Sequence, residues 1–187
     1  MNKKIRIIKK DKYMKILVEK SKKLSYILRH HPEEFNCKID NNGCVKIEEI
    51  INNTNFTKED LLEIVENDTR YEFSKDMKYI RACHGHSIPF IQYTVNKNIP
   101  DILYHGTSIE NYKKILETQE IKKMNRTKVH LSDNLEKAKN VGSRHGKVIV
   151  LVIDSKKMIQ DGFQISLSKD EVYLSENIPI KYILKTI

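Results

Sequence analysis

The chain has 187 residues, 32% of them charged and 39% apolar, which excludes a disordered chain and suffices for one domain or two small lobes with a real core. A formal net charge of +9 favours a polyanionic partner such as RNA, DNA or an acidic surface. No apolar run approaches a membrane span, the opening MNKKIRIIKKDKY is too charged for a signal peptide, and Cys37, Cys44 and Cys83 form no Cys-x-x-Cys pair, so a cytoplasmic protein without a membrane anchor is expected.

Residues 1–20 carry eight Lys or Arg against Asp11 and Glu19 and read as a basic leader. Lys3, Lys4, Arg6, Lys9, Lys10 and Lys12 either touch RNA phosphates or form a solvated segment with no partner. A helix is expected over 15–30, where Leu24, Ile27 and Leu28 recur on one face. Pro32 closes it, because the residue before a proline is pushed out of the α region. Arg29, His30 and His31 crowd that end. Cations there gain about 0.3–1 kcal/mol from the helix dipole, so these residues alone do not call for a ligand.

An extended piece with a turn at DNNG (40–43) leads to a helix near 46–52. A third helix is expected in TKEDLLEIVEND, with Thr57 and Asp60 spaced as a capping box. RYEF and MKYIRAC, joined by SKD, read as a hairpin, and helices followed by a hairpin suggest a winged-helix-like lobe over 21–93. The stretch IPFIQYTVNKNIPDI (88–102) looks like the crossing to a second lobe, 94–187. There ILYHGTS reads as a strand, 108–118 as a helix capped by Thr107 or Ser108, and KVHLS as a strand. Ser132 is expected to cap DNLEKAKNVG, and KVIVLVID is the strongest buried-strand run. FQIS, EVYLS and IPIKYILKTI read as further strands of a compact mixed sheet. The class is therefore α+β. Neither a Gly-x-Gly-x-x-Gly nor a P-loop occurs, and no histidine has metal-ligand spacing, so no metal is expected.

Taken singly, LRHHP, NDTRYEF, RACHGHS, YHGTS and MNRTKVHLS are weak signals. In this order and spacing they closely resemble the RNA 2′-phosphotransferase family, from about residue 20 to 187. The resemblance implies an N-terminal winged-helix-like RNA-binding lobe and a C-terminal ADP-ribosyltransferase-like lobe. It also implies a monomer, with RNA bearing an internal 2′-phosphate as substrate and NAD⁺ as co-substrate. It places catalytic roles on Arg29, His30, Arg70 and Arg126, leaving His31 an ordinary helix-end residue. Cofactor contacts fall on Gly85, His86, Ser87, His105, Gly106, Thr107, His130 and Ser132. Planar guanidinium forks match phosphate oxygens bidentately, and an imidazole exchanges protons near neutral pH, so these residue types suit that chemistry.

Certain positions depart from the family pattern. His84 stands where a glutamine is common and Lys128 where a histidine is common. Val172 aligns where many ADP-ribosyltransferases place a catalytic glutamate, and strand alternation would turn the adjacent Glu171 to the opposite face. Arg81 and Arg144 lie in family-like contexts and read equally as surface charge. Two alternatives stay open at this stage: an ADP-ribosyltransferase acting on protein or nucleic-acid ends, and a non-enzymatic winged-helix RNA-binding protein.

Overall fold

A computed structural model describes residues 3–93 and 98–187, with side chains at 13–93, 98–144 and 146–187. The basic side chains of the leader, Lys3 to Lys12, lie outside the described residues. The chain divides into two compact units, Met1–Gln92 and Tyr93–Ile187.

The first unit opens with helix α1 (Lys3–Arg29), longer than the expected 15–30 and unbroken at residue 20. Residues 3–14 hold neither glycine nor proline, and Lys, Arg and Met are strong helix formers, so nothing local stops it. Leu17, Leu24, Ile27 and Leu28 are buried along one face of α1. They pack on α2 (Ile47–Asn53) and α3 (Lys58–Asn67) through Ile50, Leu61 and Ile64. The capping box of α3 forms as expected, with Thr57 Oγ1 accepting from Asp60 N and the Asp60 carboxylate accepting from Thr57 N. Strands β1 (Cys44–Lys46), β2 (Tyr71–Phe73) and β3 (Tyr79–Ala82) make an antiparallel sheet in the order β1-β3-β2. The hairpin of β2 and β3 was legible, and β1 joins it from the piece read only as extended.

The second unit is built on β4 (Ile102–Ser108) paired antiparallel with β7 (Val148–Asp154), the apolar run read as a buried strand. Helix α4 (Ile109–Thr118) follows β4 with Ser108 as its cap, and β5 (Glu120–Ile121) and β6 (Val129–Leu131) come next. After α5 (Leu135–Gly142) and β7 comes α6 (Ser155–Gln160), which the sequence reading missed. Its six residues are too few for an apolar period, and its signal is Asp154 accepting from Lys157 N at 2.8 Å. The rest is β8 (Ser166–Leu167), β9 (Tyr173–Ser175), β10 (Ile178–Pro179) and β11 (Ile183–Thr186).

The strands among the described residues do not gather in one mixed sheet. They form three small antiparallel sheets in this unit, β11-β7-β4, β6-β9-β8 and β10-β5, and a two-way backbone bridge between Tyr104 and Ser132 ties the first two together. The expected last strand is interrupted by a 3-10 turn at Ile180–Tyr182. That turn buries the Tyr182 ring while its hydroxyl donates to Asp161 at 2.8 Å. No helix among the described residues is long and apolar enough to cross a membrane.

One close crossing positions this unit. A Cβ on Gly106 would fall 1.7 Å from the carbonyl oxygen of Ala138 in α5. A Cβ on Gly142 would fall 2.7 Å from Thr107 N and 2.9 Å from the carbonyl carbon of Gly106. Strand β4 and helix α5 therefore touch main chain to main chain.

Candidate active site

In the first unit, α1 delivers Arg29 as its last residue and His30 one step beyond. Arg29 is only 8% exposed despite its charge, and its guanidinium lies 5.9 Å from the centre of the Tyr71 ring. Gly85, at φ +88°, passes so close that a Cβ there would stand 3.3 Å from Arg29 Nη1. His30 Nδ1 lies 3.0 Å from Ser87 Oγ, and Ser87 N donates to the carbonyl of Arg29 at 2.9 Å. The loop containing GHS thus folds back on the Arg–His pair, a contact spanning 57 residues of sequence. His31 pairs instead with Glu33 at 3.1 Å, a surface role as expected.

Arg70 sits between α3 and β2. Its Nε donates to Asp68 Oδ1 at 2.8 Å, its Nη2 reaches Asp68 Oδ2 and Ser21 Oγ, and its guanidinium lies 5.6 Å from the Tyr71 ring centre. Burial pushes the Asp68 carboxyl up, but hydrogen bonds and charge from Arg70, with help from Ser21, outweigh it and hold the group below the ordinary carboxylate range. Sequence reasoning named Arg70 and missed the cradle of Asp68, Ser21 and Tyr71. Asp68, two residues away, was its only local signal.

His86, expected as a cofactor contact, is buried in the first unit. It is 1% exposed, and a Cβ on Gly43 would fall 2.9 Å from its Nε2, so the ring packs inside the first unit against the DNNG turn. Burial, then the positive charge of Arg29 and the neighbouring His84, His30 and Arg81, lowers its pKa to about 3. The unfolded ring titrates near 6.5, so between the two values the unfolded chain binds the extra proton and stability falls with pH. Acidification from pH 7 to 5 should cost about 2 kcal/mol through this residue, at about 1.4 kcal/mol per unit. Urea midpoints at the two pH values check this: His86→Gln should flatten the dependence by that amount, and an unchanged difference would refute the assignment.

In the second unit, His105 on β4 is partly buried, and its Nδ1 donates to the carbonyl of His130 at 3.0 Å. Burial lowers its pKa and the carbonyl bond opposes the shift, so the ring is held neutral with Nε2 as the acceptor nitrogen. Arg126 Nη1 lies 2.6 Å from His130 Nδ1. A guanidinium only donates, so this nitrogen of His130 carries the lone pair. Desolvation draws the Arg126 pKa down, but the side chain is exposed on its turn and remains charged.

Thr107 and Ser132 are buried, and Ser132 is bridged to Tyr104, the neighbour of His105 on β4. Ser132 does not cap α5: Asn134 does, its side chain accepting from Lys137 N at 2.9 Å, while Ser132 Oγ accepts from Asn134 N at 3.1 Å. The glycine at 106 has its cause in the crossing with α5. Glu171 stands at φ +61° in the turn before β9, so strand alternation does not govern it. Arg81 spends its fork on Glu72 and the carbonyl of Asn42, Lys128 pairs with Glu176, and Arg144 is exposed.

The RNA 2′-phosphotransferase, Tpt1 / KptA family matches residues 15–177. A Fusobacterium nucleatum protein named "Probable RNA 2'-phosphotransferase" is 40% identical over 168 residues, covering 86% of this chain and 93% of its own. Proteins of the same name from Pyrococcus horikoshii and Flavobacterium johnsoniae are 39% and 38% identical, covering 86% and 87% of this chain and 93% of each relative. With LRHH, NDTRYEF, HGTS and VHLS all inside the matched span, the chain belongs to the RNA 2′-phosphotransferase family.

Proposed function

We propose that this protein is an NAD⁺-dependent RNA 2′-phosphotransferase acting on tRNA-like RNA, working as a cytoplasmic monomer. The observation that carries the reading is the cluster of buried Arg29, Ser87-held His30 and Asp68-cradled Arg70. These are a dense set of anion-binding groups fixed before any anion arrives. The helices and three-stranded antiparallel sheet of the first unit are read as a winged-helix-like RNA-binding lobe, and the second unit as ADP-ribosyltransferase-like. The free cysteines suit a reducing compartment.

In the first step an oxygen of the RNA 2′-phosphate bonds to the anomeric carbon of the nicotinamide ribose. The carbon–nitrogen bond breaks and its electron pair leaves with nicotinamide, giving ADP-ribosylated RNA. In the second step the adjacent ribose hydroxyl bonds to phosphorus and the bond from phosphorus to the RNA 2′-oxygen breaks. One proton passes from that hydroxyl to the RNA oxygen, and ADP-ribose 1″,2″-cyclic phosphate departs. Arg29 and Arg70 of the first unit hold phosphate oxygens and neutralise charge, and His30 carries the proton; the catalytic role of Arg126 rests on the family resemblance. The dinucleotide is a substrate that fits the second unit's polar groups: His105, with Nδ1 committed to a carbonyl, offers Nε2 to a ribose hydroxyl, and His130, Thr107 and Ser132 lie nearby.

A short RNA with one internal 2′-phosphate, incubated with and without NAD⁺ and with a chelator, tests the reading. Loss of the phosphate should need NAD⁺ and survive the chelator. Equal product without NAD⁺ would overturn it. Transfer that stops at ADP-ribosylated RNA in the native enzyme would favour an end-modifying ADP-ribosyltransferase.

A further inference from the structure

We propose that Ser87 is a positioning residue for phosphotransfer, gripping the His30 ring at Nδ1 so that the proton exchanged with substrate travels on Nε2. This deepens the phosphotransferase reading and rests on it.

His30 lies one residue past the end of α1. Its N–H still donates to the carbonyl of Tyr26 at 3.1 Å, so the backbone is held. The ring stands 6.4 Å, centre to centre, from that of Tyr26 on α1, and Ser87 grips it at Nδ1, with Oγ 3.0 Å from Nδ1 and 3.4 Å from the carbonyl of Arg29. A hydroxyl both donates and accepts, whereas a carbonyl only accepts. When His30 is neutral and protonated on Nε2, Ser87 donates to Nδ1. When His30 is an imidazolium, Nδ1–H donates to Oγ and the serine hydrogen turns toward the Arg29 carbonyl. The grip therefore survives both halves of a proton cycle. A carboxylate in the same place would bias the ring toward its charged form.

The loop that presents this hydroxyl is set by other contacts. Ser87 N donates to the Arg29 carbonyl at 2.9 Å, Gly85 runs against the Arg29 side chain, and His86 is buried beside Gly43. Removing the hydroxyl leaves all three in place. The same contacts account for why residues 85–87 belong with the Arg–His pair.

The first step of the proposed reaction moves no proton, and the second moves one. Ser87→Ala should slow the second step about 10- to 100-fold, the range expected when a proton-transfer group is misplaced, and leave the first within about twofold. ADP-ribosylated RNA should then accumulate, Ser87→Thr should restore turnover, and adding Ser87→Ala to His30→Ala should cost nothing more. Nitrogen-15 spectra of labelled His30 should show its tautomer populations change in Ser87→Ala at an unchanged melting temperature. An unaltered second step, additive losses in the double variant, or a raised KM for NAD⁺ with both steps slowed alike would overturn the proposal. The spectra do not depend on turnover. Wild-type protein that never removes a 2′-phosphate would sink the phosphotransferase reading, while unaltered spectra would sink the role of Ser87.

Discussion

Arg70→Ala should lower turnover of even the shortest 2′-phosphorylated RNA by about 10²- to 10³-fold, the usual loss when one preorganised donor to a transition-state oxygen is removed. The guanidinium needs no search for its pose. Asp68 holds it through two nitrogens, Ser21 adds a third contact, and it lies over the Tyr71 ring, 5.6 Å from the ring centre. Arg70→Lys should recover little, because an ammonium cannot engage a carboxylate and a phosphate in one plane. Asp68→Asn keeps the shape and removes the charge, so it should loosen the guanidinium and cost less than Arg70→Ala. Single-turnover rates on a dinucleotide substrate check all three. Full activity in Arg70→Ala would remove this residue from the phosphate site.

The largest effect on stability is expected from Gly106→Ala. No rotamer can relieve a Cβ placed 1.7 Å from the Ala138 carbonyl oxygen, so strand and helix must separate. The loss should reach about 4 kcal/mol or more, within the tail reserved for gross overpacking, which would consume most of the stability of a unit this size. Gly142→Ala should act alike, and the pair together should lose less than the sum, since either alone opens the same crossing. Gly162→Ala is the control: φ is +91° but nothing lies within 4 Å of the added carbon, so only backbone strain of about 1 kcal/mol is expected. Urea unfolding followed by circular dichroism measures each. A Gly106→Ala midpoint equal to that of Gly162→Ala would refute the argument.

Local chemistry was the legible part of this chain. The Thr57–Asp60 box is three residues wide, the face of Leu24, Ile27 and Leu28 spans little more than one turn, and both appear as read. Helix α6 escaped because six residues show no period, and Ser132 was taken for a cap because Asn134, two positions nearer the helix, competes for the same job. The site divides in the same way. Arg29, His30 and Arg70 sit in short motifs that are weak singly and were read together only through the family resemblance. The grip of Ser87 on His30 and the seat of His86 on Gly43 bring together residues more than forty positions apart, which no spacing rule encodes. The demand that the backbone of α5 makes on Gly106 has no local signal either.

That crossing has a consequence for how such a protein changes over generations. A side-chain contact can drift, because one methyl lost on one partner can be regained on the other. Where β4 meets α5 the partners are peptide groups, the same in every residue, and neither glycine has a substitute that keeps the distance. His105, carried between Tyr104 and Gly106, rides on the part of the chain least open to gradual revision. Lys128 belongs to a surface pair with Glu176, where exchange of one residue disturbs little else. Replacement is therefore tightly limited where β4 crosses α5.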